Sequence, residues 1–156
     1  MMFVQVQSKM KVHVAIAILV VTSTHFESMV CAKKMNIAEI KEALKPISRS
    51  CKTKTGLSDE LLAGTMNGLW PRDRSLMCYF KCAAVTLKLM TKEGELTISN
   101  INKQLNMLIA DELVPRVKEI LESCLATVIK SNDACEFAFD MMVCSYNIDP
   151  ELYFLP

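Results

Sequence analysis

Apolar residues recur along most of the chain every three or four positions, which is the spacing of one face of an α-helix. In the first such segment Ile37, Ile40, Leu44 and Ile47 share a face, and Pro46 is expected to kink the helix. Strict alternation of apolar and polar residues, the pattern of a half-buried strand, does not occur. The pattern therefore predicts an all-α fold.

Caps and breakers divide this pattern into six helices. They are predicted over about 37–50, 58–69, 74–90, 99–109, 111–128 and 134–146. Ser58 and Asp133 are typical N-cap residues at two of the starts. The final ten residues, NIDPELYFLP, cannot continue a helix past Pro150, yet they are too apolar for a free tail. We expect them to pack against the helices.

The N-terminal segment has the layout of a secretion signal. Lys9 and Lys11 precede an apolar run over 12–21, and Val30 and Ala32 fit a small-residue cleavage site. The run is shorter than the roughly 20 residues that a helix needs to cross a bilayer. We predict that residues 1–32 are a signal peptide, removed to leave a secreted, extracellular domain over 33–156; a buried N-terminal helix is the alternative.

Cleavage there would leave six cysteines and no histidine, because Cys31, His13 and His25 precede the site. An even number of cysteines in a secreted chain indicates a disulfide framework. Cys78 and Cys82 lie one turn apart on the same helix face, so a bridge between these two is geometrically poor. Each is better served by a distant partner, and many pairings remain open at this point.

The remaining chemistry points away from catalysis. Without histidine there is no His-based metal site, Ser-His-Asp arrangement or histidine general base. The sequence has no Gly-rich phosphate loop and no Cys-x-x-Cys pair. We expect no catalytic residues, no metal site and no cofactor, and thus no enzyme. The formal net charge of +1 gives no reason to expect nucleic acid as a partner.

The cysteine spacing, together with the all-helical pattern, resembles the insect odorant-binding proteins of the pheromone-binding and general-odorant-binding family. The closest resemblance is to the six-cysteine subgroup with a medium-length C-terminal tail. Other blocks resemble it as well: EALKPISRSC and KTG around the first cysteine, CYFKC, the GEL turn and the terminal DPELYFLP. These blocks cover nearly all of the chain after the signal segment.

The resemblance implies six helices around one apolar cavity, with the tail as a wall or lid. It implies an interlocked disulfide pairing: Cys51–Cys82, Cys78–Cys135 and Cys124–Cys144. It also implies a carrier of odorants, pheromones or fatty-chain molecules through sensillar lymph to olfactory receptors. Some relatives form homodimers, so dimerisation is left open here.

Carried over by position, the resemblance assigns the cavity lining to residues of four helices and the tail. The implied ligand-binding residues are Tyr79, Ala83, Ala84, Leu87, Met90, Ile98, Ile101, Leu105, Val117, Ile120, Leu121, Phe139, Met142, Val143, Tyr153, Phe154 and Leu155. Met142 and Ser145 stand where relatives often have His and Trp, which implies fewer hydrogen bonds and less stacking in the cavity.

The family's release at low pH implies that the tail detaches. With no histidine after cleavage, the implied trigger is the carboxylate of Pro156, placed near Tyr79 and near Ser48 or Arg49. Its ordinary pKa of about 3.5 would have to rise before it could titrate at about pH 5. We therefore expect weaker pH sensitivity than in histidine-bearing relatives.

Two other functions remain open on the sequence. One keeps the fold but changes the role, to a secreted carrier of lipids, hormones or toxins outside olfaction. The other is a disulfide-bonded interaction protein with a filled core, because stripes of Leu and Met usually belong to an ordinary core.

Overall fold

The structure is a computed structural model that describes residues 34–154; the predicted signal segment over 1–32 lies outside them. Six α-helices and a short 3₁₀ helix follow one another: α1 Ile37–Thr55, α2 Asp59–Met66, α3 Arg74–Thr86, α4 Ile98–Leu108, α5 Val114–Thr127, α6 Ala134–Ile148 and the 3₁₀ helix Pro150–Leu152. The described chain has two isolated β-bridges and no strand. The predicted all-α fold of six helices is confirmed. None of the described helices is both long enough and apolar enough to span a membrane.

Side-chain caps fix most of the helix starts. Asn36, Ser58, Asp73 and Asp133 each accept a hydrogen bond from a backbone N–H in the first turn of the following helix. The N–H of Asn36 in turn donates to the Glu39 carboxylate, which completes a capping box at α1. The caps predicted at Ser58 and Asp133 are confirmed, and each satisfies backbone donors that a helix start leaves without partners.

Among the helices that follow α1, α3 has the end that lies farthest from its predicted position. The helix stops at Thr86 rather than near Met90, because Lys88 adopts the left-handed conformation with φ of 57°. The N–H of Leu89 then donates to the carbonyl of Ala84 at 2.8 Å. This Schellman arrangement usually has glycine at the left-handed position. A lysine there gives no stop signal in the sequence.

The first helix continues to Thr55, beyond its predicted end at residue 50, and stops where Gly56 adopts φ of 68°. Pro46 lies inside this helix. The remaining helix ends lie within three residues of the predicted ones. Such differences are usual, because helix ends are the least strongly determined part of the pattern.

The third helix is the centre of the bundle. It packs against α1 on one side and α6 on the other, and α6 packs in turn against α5. Leu76, Tyr79 and Phe80 of α3 are essentially fully buried. Because α3 contacts both neighbours, its buried side chains pack against α1 and α6 alike.

Three disulfides hold these contacts in place, with the same pairing that the resemblance implies: Cys51–Cys82, Cys78–Cys135 and Cys124–Cys144. They join α1 to α3, α3 to α6, and α5 to α6. Their sequence separations are 31, 57 and 20 residues. In the chain-entropy account, loops of these lengths give each bridge about 3–4 kcal/mol of stability.

Candidate functional site

A cavity of about 280 Å³ lies between the helices and is the candidate site. Its wall is built from α1, α3, α4, α5 and α6, from the loop after α3 and from the C-terminal segment. Almost all the lining side chains are aliphatic, aromatic or methionine. The volume is close to the lower limit for small-molecule sites, which are typically about 300–1,000 Å³ and mostly apolar.

Many of the predicted lining residues lie around this cavity. They are Ala83, Ala84, Leu87, Met90, Ile101, Leu105, Val117, Ile120, Leu121, Met142, Tyr153 and Phe154. On α3 the two alanines leave space beside the buried ring of Phe80, which also lines the cavity. Small side chains on the central helix are thus one physical reason for the space.

Two predicted lining residues are buried elsewhere. The hydroxyl of Tyr79 donates to Ser48 at 2.8 Å, between α3 and α1, and burial raises the pKa of this phenol. Phe139 packs against Trp70, with the ring centroids 6.0 Å apart. Both belong to the core behind the wall, so their assignment to the lining is corrected here.

Two further predicted residues lie off the cavity, and one is not described. Ile98, at the start of α4, is 40% exposed. Val143 is half-buried against the core and does not line the cavity. Leu155 lies outside the described residues.

The misplacement on α6 has a geometric cause. The lining face of this helix contains Ala138, Met141, Met142 and Ser145, at helical spacing. At about 100° per residue Val143 lies about 140° around the helix from Ala138, so it is turned away from the lining face. The predicted set was therefore rotated by about one residue. The positions of Ala138 and Met141 share a period with Ser145, and this was the signal that could have found them.

The N-terminal segment supplies a wall that the sequence analysis missed. The N–H of Met35 donates to the carbonyl of Leu108 at 2.7 Å, and the N–H of Ala110 donates to the carbonyl of Met35 at 3.0 Å. This short parallel pairing brings Met35 and Ile109 to the cavity. No local sequence pattern predicts such a pairing. Ile40 and Leu44 also line the cavity, from the apolar face of α1 that the sequence predicted but did not assign to the lining.

Polar groups around the cavity are few: Gln104, Ser145, Tyr146, Asp149 and Tyr153. Asp149 forms an ion pair with Arg116 of α5. Burial raises the pKa of the Tyr153 phenol, which keeps its hydroxyl neutral through the physiological range. No Lys or Arg side chain is among the described residues that line the cavity.

An aromatic cluster backs one end of the cavity. The indole of Trp70 contacts the rings of Phe80, Phe139, Tyr146 and Tyr153, with centroid separations of 5.7, 6.0, 5.2 and 5.7 Å. Three of these four partners also line the cavity. Trp70 is the chain's single tryptophan. Its emission therefore reports on one wall of the cavity.

The lining is apolar enough to hold a hydrophobic molecule. In residues 34–154 no group of three or more His, Cys, Asp or Glu side chains is placed to hold a metal ion. The lining surrounds an apolar volume into which a hydrophobic molecule would be transferred from water.

Comparison with known proteins gives this cavity its context. Residues 33–147 match the PBP/GOBP family. General odorant-binding protein 72 of Anopheles gambiae is 22% identical over 116 residues, which cover 74% of this chain and 95% of that protein.

Among solved structures, Apis mellifera odorant binding protein 5 has a TM-score of 0.70 and 28% identity, covering 80% of this chain and 100% of that one. Odorant binding protein 4 of Chrysopa pallens has a TM-score of 0.69 and 29% identity, covering 78% of this chain and 99% of that one. These relatives are odorant-binding proteins rather than enzymes. Because the family match spans most of the described chain and the fold agrees, the chain belongs to the PBP/GOBP family of insect odorant-binding proteins.

Proposed function

We propose that this protein is a secreted carrier that binds small hydrophobic odorants or pheromones and transports them through aqueous lymph to olfactory receptors. The observation that carries the proposal is the apolar cavity of about 280 Å³ in the fold of this family. A filled-core interaction protein would not have such a volume. Membership of a carrier family and the absence of a charged wall along most of the cavity support the same function.

Binding is driven by transfer of the ligand's apolar surface out of water. Each methylene group that enters the cavity contributes about 0.8 kcal/mol. Affinity is therefore expected to rise about fourfold per methylene in a homologous series, until the cavity is full. Methionine side chains at Met90, Met141 and Met142 adapt to different ligand shapes, because the thioether chain is flexible and polarizable.

The tail is the proposed lid. Tyr153 and Phe154 line the cavity, whereas Leu155 and Pro156 lie outside the described residues. Our proposed release trigger is the carboxylate of Pro156, which the resemblance implies to be near Tyr79 and near Ser48 or Arg49. Residues 33–156 contain no histidine. We therefore propose that mild acidification weakens ligand binding less in this protein than in relatives that have histidine.

A carrier of lipids, hormones or toxins outside olfaction is the alternative role for the same site. The cavity chemistry fits an apolar ligand from either source, so tissue expression separates the two. Transcript restricted to antennae supports the olfactory role, whereas transcript mainly in fat body or haemolymph-facing tissue supports the alternative.

The carrier function is tested by probe displacement. The full chain is expressed in insect cells, the secreted protein is delipidated, and the fluorescent probe N-phenyl-naphthylamine is bound to it. Plant volatiles and insect pheromones are then titrated against the probe. Saturable displacement at micromolar concentrations by neutral apolar ligands is expected. Failure of the probe and of every ligand to bind would overturn the proposal.

A further inference from the structure

The hydroxyl groups around the cavity can accept a hydrogen bond from a ligand but cannot donate one. Each of them already donates its single hydrogen to another group of the protein. The hydroxyl of Ser145 donates to the carbonyl of Met141 at 2.9 Å, one turn earlier on α6. The hydroxyl of Tyr146 donates to the carbonyl of Met66 at 3.3 Å. A hydroxyl has one hydrogen and two lone pairs, so these groups can still accept a hydrogen bond but cannot donate another.

The same holds for Tyr153. Its hydroxyl lies 2.8 Å from the hydroxyl of Thr65, and Thr65 donates its own hydrogen to the carbonyl of Leu62 at 2.7 Å. The hydrogen between the two hydroxyls must therefore come from Tyr153. The phenol of Tyr153 offers a ligand no donor either.

Gln104 is held in a fixed orientation. Its Nε2 donates to the carbonyl of Leu87 at 2.6 Å. Because a carbonyl only accepts, the amide nitrogen must face Leu87, and Oε1 must point the other way. Oε1 receives no hydrogen bond from the described residues, and the second amide hydrogen is the one donor left among these groups.

The charge around the cavity excludes a further ligand class. Asp149 is the charged residue among the described lining, and its two carboxylate oxygens are engaged by Arg116 and by the N–H of Glu151. A ligand carboxylate would lose its hydration without meeting a cation, and that desolvation is costly.

We propose that the cavity selects a neutral apolar ligand that donates a hydrogen bond, namely an aliphatic alcohol, over the aldehyde, ether or carboxylic acid of the same chain. The ligand's single hydroxyl hydrogen is donated either to Ser145 Oγ or to Gln104 Oε1. This inference rests on the proposed carrier function, since it requires that the cavity holds the ligand.

Four ligands with ten carbons each test the selectivity: decanol, decanal, nonyl methyl ether and decanoic acid, each displacing N-phenyl-naphthylamine at neutral pH. One hydrogen bond to a neutral acceptor predicts that decanol binds about 3- to 10-fold tighter than decanal or the ether. Ionised decanoic acid is expected to bind weakest. Equal or tighter binding of decanal overturns the selectivity but leaves the carrier function standing. If none of the four displaces a probe that itself binds, the carrier function for such ligands fails instead.

Variants then test the two acceptors. Ser145→Ala removes one acceptor and is mild for the fold, because a serine that bonds back to its own helix adds little stability. Gln104→Met removes the other with little change in length. Each is expected to reduce the ratio of decanol affinity to ether affinity, whatever its effect on the two affinities separately, and the double variant is expected to reduce that ratio most. Thr53→Ala is the matched control, since Thr53 donates the same kind of backbone bond to the carbonyl of Arg49, at 3.1 Å, from an exposed position of α1 outside the cavity. A decanol advantage that survives the double variant would contradict the assignment of these residues.

Discussion

Filling the cavity from its wall should raise stability and lower ligand affinity at the same time. Ala84, on the central helix α3, lines the cavity beside the ring of Phe80. Ala84→Leu adds three carbons to this wall. If they enter empty apolar space, they gain about 0.8 kcal/mol per carbon, which is about 2 kcal/mol in all. The free energy of unfolding of the ligand-free protein should rise by about that amount.

Ligand binding should change in the opposite direction. A ligand whose hydrocarbon chain fills the cavity must give up the space that leucine takes. It should lose about 2 kcal/mol of binding free energy, which is about 30-fold in affinity. Short ligands, which leave part of the cavity empty, should keep their affinity. Probe displacement with a homologous series of alcohols measures both effects.

Guanidinium unfolding with the disulfides intact gives the change in stability. Ala126→Leu is the matched control, because Ala126 is exposed on α5 and does not line the cavity. Leucine forced into a solid core would instead destabilise the protein by about 1–3 kcal/mol through overpacking. Destabilisation by Ala84→Leu with unchanged binding of long ligands would show that the space beside Ala84 is not open.

Three other predictions follow from the same contacts. Replacing Cys124 and Cys144 together by serine should lower the free energy of unfolding by about 3 kcal/mol, measured by guanidinium titration; an unchanged value would contradict the stabilising role of that bridge. Ligand binding should shift the emission of Trp70, and Trp70→Phe should remove the signal without abolishing probe displacement. Burial raises the pKa of the Tyr153 phenol in the folded protein. The neutral phenol therefore stabilises the fold fully below the unfolded-state pKa of about 10, and this contribution is lost as the pH rises further. The free energy of unfolding should accordingly fall in alkaline buffer. Tyr153→Phe should make that fall shallower, and an equally steep fall in the variant would place the titration elsewhere.

The helices could be predicted from the sequence because their signals are local. The caps at Ser58 and Asp133 depend on a side chain and the backbone of the next turn, and both are where the sequence places them. The end of α3 could not be predicted, since the left-handed residue is Lys88, and lysine is common inside helices. The pattern of apolar residues continued past the turn and concealed it.

The cavity wall was predictable in part, for a different physical reason. The resemblance assigned Ala84, Leu105 and Ile120 to the wall, and PBP/GOBP-like placement on the apolar faces of α3, α4 and α5 puts them there. On α6 the resemblance assigned Val143 to the wall, whereas the lining face follows the helical spacing of Ala138, Met141 and Ser145. Met35 reaches the wall through a backbone pairing with a segment distant in sequence, which no single-sequence pattern encodes.

The central claim is that a hydrophobic ligand occupies the cavity between α3, α4, α5 and α6. Its most direct test is nuclear Overhauser contact between bound decanol and isotope-labelled methionine methyl groups. The predicted result is contact with Met90, Met141 and Met142, which line the cavity, and none with Met66 or Met107, which are 47% and 52% exposed outside it. Contacts confined to Met66 or Met107, with decanol bound, would contradict the account.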